Sequence, residues 1–119
     1  MPVTPEEVCA LARTLPRAEE ALVRDQVKFR VRGIVFLALS RDETLLGFAF
    51  PRDERESLVA ARPDTFLMPV DSDLRYHWVR VRLSAIDWQE LRELVLDAWR
   101  MVVPKKVAAA YDAEHGTGD

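Results

Sequence analysis

The sequence predicts an α+β domain: an antiparallel sheet of about four to five strands with helices packed on one face. Three observations predict it. Capped amphipathic stretches open and close the chain, at residues 4–15 and 87–102. The middle, from about residue 20 to residue 50, alternates apolar and polar residues between short polar turns. A further alternating stretch, residues 77–83, precedes the last long helix. Strands grouped together and bracketed by helices, rather than alternating with them, specify α+β rather than a parallel sheet.

The first helix has its own start and stop. Thr4 caps it, Pro5 fills the first helical position, and Glu7 completes a capping box. Val3 and Val8 can staple its entry, Val8, Leu11, Ala12 and Leu15 share one face, and Pro16 ends it. Strands then follow at Lys28–Arg32, Ile34–Leu39 and residues 44–50, separated by turns at Arg32-Gly33 and Arg41-Asp42-Glu43. Pro51 closes this run. Asp53 and Glu56 suggest the cap of a short helix carrying Leu58, Val59 and Ala61, stopped by Arg62-Pro63-Asp64. Residues 66–73 read as irregular, and residues 77–83 as a strand. Asp87 with Glu90 caps the strongest helix, stapled by Ile86 and Leu91, with a stripe of Trp88, Leu91, Leu94, Val95, Ala98, Trp99 and Val102. Pro104 breaks it, and residues 105–111 form a last short helix. The domain is therefore expected over residues 1–111, with residues 112–119 as a loose polar tail.

Composition narrows the class. At 119 residues and 49% hydrophobic content the chain suits one folded domain, which at this size buries about 65% of its unfolded surface. The single cysteine, Cys9, cannot close an internal disulfide. No apolar run approaches the length of a membrane span, and no basic-then-apolar leader is present. The expectation is a cytoplasmic protein with no membrane association. A net charge of −3 argues against a role limited to coating DNA, but leaves room for a local basic patch.

The strand faces carry most of the functional information. A two-residue turn at Arg32-Gly33 and a three-residue turn at residues 41–43 would align Phe29, Phe36 and Phe48 on one face, as a core. Side chains alternate across a strand, so the other face would carry Lys28, Arg30, Val35, Leu37, Leu39, Gly47 and Ala49. If Val79, Val81 and Leu83 point inward, Trp78, Arg80 and Arg82 join that second face. Three uses fit such a face. It can be a solvated outer surface with basic stems lying over apolar neighbours. It can be an interface for a homodimer or protein partner, with Val35, Leu37 and Leu39 as the apolar component. It can bind nucleic acid, with cations on phosphates and Trp78 stacked on a base. For the last, the candidate residues are Lys28, Arg30, Arg32, Trp78, Arg80 and Arg82.

The run Lys28-Phe29-Arg30-Val31-Arg32-Gly33-Ile34-Val35-Phe36, the later His77-Trp78-Val79-Arg80-Val81 and the helix from Leu91 to Trp99 resemble the MmcQ/YjbR family. The order of elements agrees too, through to a Val-Pro-Lys-Lys stretch at residues 103–106, so the resemblance spans about residues 4–106. It implies a frataxin (CyaY)-like fold, and it implies DNA binding, the role commonly suggested for family members. Where a Lys often follows the hairpin glycine in that family, Ile34 follows Gly33 here, with Arg32 adjacent.

Enzymatic chemistry is not expected. Four glycines form no phosphate-cradling loop. Cys9, His77 and His115 are too far apart in sequence to suggest a zinc site. Cys9 with His77 as a nucleophile and base is outweighed by Cys9 lying beside a core stripe, where a thiol is inert. Glu6, Glu7, Glu19 and Glu20 could be compared with a frataxin-type iron ridge, but helix capping already accounts for Glu6 and Glu7. No cofactor and no metal are expected. The leading expectation is a nucleic-acid-binding module. A non-enzymatic interaction or homodimerisation domain using the same face is the alternative.

Overall fold

A computed structural model describes residues 2–115. Six strands form one antiparallel sheet in the order β1-β2-β3-β4-β6-β5. They are β1 (Glu19–Val23), β2 (Gln26–Val31), β3 (Ile34–Leu39), β4 (Leu45–Ala49), β5 (Phe66–Leu67) and β6 (Trp78–Arg82). Four α-helices accompany them: α1 (Pro5–Arg13), α2 (Arg55–Ala61), α3 (Trp88–Arg100) and α4 (Lys105–His115). The α+β class and the one-sided helical layer are as the sequence predicts. The sheet is one to two strands larger.

The two main helices start where their caps dictate. Thr4 Oγ1 accepts from the Glu7 N–H while Glu7 Oε1 accepts from the Thr4 N–H, which satisfies two otherwise orphaned donors at once. Asp87 accepts from the Glu90 N–H at the start of α3. Its apolar stripe then buries Leu91, Val95, Ala98 and Trp99 fully, while Trp88, in the first turn, stays 45% exposed. The Trp99 N–H donates to the Pro16 carbonyl at 2.9 Å, so the largest buried side chain also ties α3 to the end of α1. Asp53 does not cap α2. Residues Arg52–Glu54 form a 3₁₀ turn, and α2 begins at Arg55 without a side-chain cap.

The tail expected from residue 112 onward is corrected as far as residue 115. Helix α4 continues to His115 because its second half has partners. Tyr111 packs edge-on against Trp99, His115 stacks on Tyr111, and Asp112 takes an ion pair from Arg100. The rest of that expected tail, 116–119, lies outside the described residues.

Strand β1 is an addition to the strands the sequence predicts, and the reason it carries no marker is local. Its hairpin with β2 turns on Arg24 and Asp25, with φ of 51° and 67°. This is the positive-φ pair of a type I′ turn made without glycine or asparagine, so the usual sequence marker is missing.

The expected register of β3 also needs correction. Val31 faces Ile34 and Arg30 faces Val35 as anticipated, but Phe29 faces Leu37 and Lys28 faces Ala38, because the ladder shifts between Phe29 and Arg30. This is a β-bulge: one additional residue, Phe36, is accommodated in β3. Phe36 and Leu37, adjacent in sequence, are both fully buried. Beyond the bulge the alternation of β3 is inverted. Leu37 and Leu39 join the core and Ala38 turns to the other face. The following loop inverts the pattern a second time. It is closed by the Ser40 N–H donating to the Leu45 carbonyl, so residues 41–44 form four positions rather than three. Leu46 and Phe48 consequently reach the core as expected, and the two departures cancel at β4.

Candidate functional site

The helices cover one side of the sheet, where Phe29, Val31, Phe36, Leu37, Phe48, Val79 and Val81 are buried among α1, α3 and Phe66. The opposite side has no helical cover among the described residues, and the ladder fixes what it displays. One cross-strand row runs Ala21, Lys28, Ala38, Gly47, Arg80 and Leu67. Flanking it, Arg30 sits between Glu19 and Val35, Trp78 faces Ala49, and Arg82 faces Leu45. All of Lys28, Arg30, Trp78, Arg80 and Arg82 therefore lie on the open face, as anticipated. Arg32 stands at the tip of the β2–β3 turn with φ 53°, followed by Gly33 at φ 81°. Leu37 and Leu39, expected here, are in the core. Val35 and Ala38 take their part of the surface. Glu19 on β1 brings an acid beside Arg30 that the strand pattern did not indicate.

The basic residues differ in how they are held. Arg30, Arg32 and Arg82 are exposed and Lys28 is half-buried. None of the four forms an ion pair among the described residues. Arg80 is half-buried, and its Nε and Nη2 both donate to the Met68 carbonyl, at 3.0 and 2.8 Å. A carbonyl satisfies the donors without neutralising the charge, so Arg80 both anchors the chain leaving β5 and contributes positive potential.

Trp78 is positioned by a glycine. The indole lies against Gly47 on the neighbouring strand, diagonal to it in the ladder. A glycine within a strand often marks such a close approach. The half-buried ring is thus laid on the sheet with part of its surface open to solvent.

One contributor was not legible in the sequence. Arg55, at the start of α2, is only 6% exposed and holds the segment between β5 and β6 by its carbonyls. It donates to Leu74 O at 2.5 Å, Tyr76 O at 2.9 Å and Trp78 O at 3.4 Å. The nearby His77 accepts the Arg52 N–H on Nδ1 at 2.9 Å. These bonds fix where β6 starts, and hence where Trp78 stands. Arginine at a helix start ordinarily reads as a surface residue, so no pattern marks it.

Elsewhere the titratable groups have structural explanations. Burial raises the Cys9 thiol above its ordinary pKa, which disfavours the nucleophilic thiolate. Glu20 is held below the usual carboxylate range by its hydrogen bonds from Arg13, at 2.7 and 2.9 Å. No group of three or more His, Cys, Asp or Glu is placed to hold a metal ion among the described residues. No helix among them is long and apolar enough to cross a membrane.

The YjbR family model matches residues 13–101, most of the chain and all six strands. The chain belongs to the YjbR family. Its fold also matches a crystal structure of a Deinococcus radiodurans protein with a DUF419 domain, at a TM-score of 0.74 and 20% identity, covering 95% of this chain and 88% of that one. At that identity the likeness speaks for the fold. No curated protein matches the chain. In this YjbR-family protein, the open face is built by β2, β3, β4 and β6, all within the matched span.

Proposed function

We propose that this protein is a non-enzymatic nucleic-acid-binding module that uses the open face of its sheet. The observation that carries this reading is that Lys28, Arg30 and Arg82, all without ion-pair partners among the described residues, share the open face with an indole that lies on the sheet, with Arg32 at the β2–β3 turn beside it. Unneutralised cations attract phosphates and release their counterions. An aromatic ring with an open surface offers stacking to any base. The overall charge of −3 keeps binding weak, and the phosphates neutralised by the basic residues make it fall as salt rises. DNA is the ligand that family likeness favours. The same reading places the protein in the cytoplasm, where its single thiol needs no disulfide partner.

The alternative, a protein or homodimer interface on this same face, loses two of the three residues that favoured it and keeps Val35. Leu37 and Leu39 are in the core, which leaves Val35 and Ala38 as the aliphatic residues that β3 presents on the open face among the described residues.

Fluorescence polarisation of labelled mixed-sequence single- and double-stranded DNA, at low and moderate salt, tests the proposal. Binding that weakens steeply with salt supports it. No binding at low salt rules it out.

A further inference from the structure

The two edges of the sheet are unlike. Strand β5 is two residues long, and an edge that short offers little template for pairing. Strand β1 is five residues long, and every residue in it except Ala21 is exposed. It contains no proline and no lysine, its ladder with β2 has no bulge, and its charged side chains, Glu19 and Glu20, stand only at its start, so its apolar end lacks the usual devices that protect an edge. Leu22, at 71%, is the most exposed large apolar side chain described, and Val23 beside it is also exposed.

We propose that β1 is the seam of a homodimer, in which the β1 strands of two copies pair antiparallel with Ala21 on the twofold axis. Backbone parity sets this register. The type I′ turn at Arg24-Asp25 makes Val23 and Gln26 the hydrogen-bonded pair that closes the hairpin. Antiparallel ladders alternate, so residues 19, 21 and 23 spend their backbone groups on β2 while Glu20 and Leu22 direct theirs outward. Two copies use all of these outward groups when Glu20 of each pairs with Leu22 of the other.

The charge pattern agrees. The strand begins with Glu19-Glu20 and ends with Leu22-Val23-Arg24. Antiparallel pairing sets the acidic start of one copy beside the apolar and basic end of the other. Arg24 falls diagonal to Glu20 of the second copy, within reach of a long side chain. A parallel arrangement would set acid beside acid. Each Glu20 is already neutralised by its own Arg13, so the two glutamates diagonal to each other across the axis repel little. The contact is isologous and closes on itself, so it gives a dimer rather than a filament. It also joins two six-stranded sheets with their open faces on the same side. The inference stands on the edge alone and does not need the nucleic-acid reading.

The full chain tests it by two routes. In sedimentation over a concentration series, the apparent mass should rise from 13.6 kDa toward twice that value. Leu22→Glu, which sets further acids against Glu20, should hold the mass at the monomer value with unchanged circular dichroism. In a Cys9→Ser background, Ala21→Cys should form a disulfide-linked dimer on mild oxidation, because a residue on the axis faces its own copy at a distance that suits a disulfide. Glu19→Cys, which faces Val23 of the second copy, should not. A wild-type chain that stays monomeric throughout overturns the proposal, as does equal cross-linking of the two cysteine variants.

Discussion

A Cβ on Gly47 would stand 2.6 Å from Cζ2 of Trp78, nearer than real Cβ contacts come. That one pair fixes the attitude of the one aromatic ring that the described strands present on the open face, so the presentation of Trp78 depends on a residue with no side chain.

Gly47→Ala should therefore lower stability by about 1–3 kcal/mol, the usual range for overpacking, and should lift the indole from the sheet. Thermal melts of Gly47→Ala, Trp78→Ala and the double variant check this. In the double variant the cost of the added methyl should largely vanish, giving a clear coupling energy between the two sites.

Arg55 should be the most sensitive charged position. Truncation to Ala strands the carbonyls of Leu74, Tyr76 and Trp78. The expected loss is about 3 kcal/mol, because a buried charge-assisted set is removed from one side only. Urea unfolding should show a lower midpoint with an unchanged slope. Hydrogen exchange should quicken first in the segment between β5 and β6.

The basic residues should separate by role. Arg30→Gln with Arg82→Gln should abolish most DNA affinity at low salt while leaving the melting temperature nearly unchanged, since neither side chain makes an ion pair among the described residues and a neutral side chain at position 30 does not set a like charge opposite Glu19. Single neutral substitutions at Arg30, Arg32 or Arg82 should each reduce the log–log salt slope by about 1. Arg80→Gln should cost stability as well, because two of its donors hold Met68 O. Polarisation titrations beside melts of the same variants distinguish these outcomes.

Acid should weaken the β3–β4 loop through Asp42. Its carboxyl is pulled below the ordinary range first by the Ser40 hydroxyl, then by the Thr44 N–H and hydroxyl. A depressed carboxylate pKa adds stability that is complete above the unfolded value, about 4, and is lost as pH falls through the folded value. Asp42→Asn should leave a smaller loss of stability across that acidic window than the wild type shows. Melts from neutral pH down into that range measure the difference.

Much of the site was legible because alternation is a strong constraint. Once Val79 and Val81 are assigned to the core, Trp78, Arg80 and Arg82 must face the other way, and they do. The same logic placed Lys28 and Arg30 opposite Phe29 and Val31. It failed at Leu37 and Leu39, where a bulge shifts parity by one before a longer loop restores it at β4. Neither carries a distinctive marker: the bulge lies in an apolar run, and the loop is closed by Ser40 and Asp42 through side-chain bonds.

The sequence by itself determined the α+β class, the caps of α1 and α3, the core phenylalanines and the basic character of the strands. These follow from local propensity and periodicity, which each segment carries on its own. Only the tertiary structure decided the extra edge strand β1, the burial of Leu37 and Leu39, the role of Arg55 and the seat of Trp78 on Gly47. Each of these depends on which backbone groups and which volumes meet across the sheet, and that pairing is settled by the packing of distant segments rather than by any one of them.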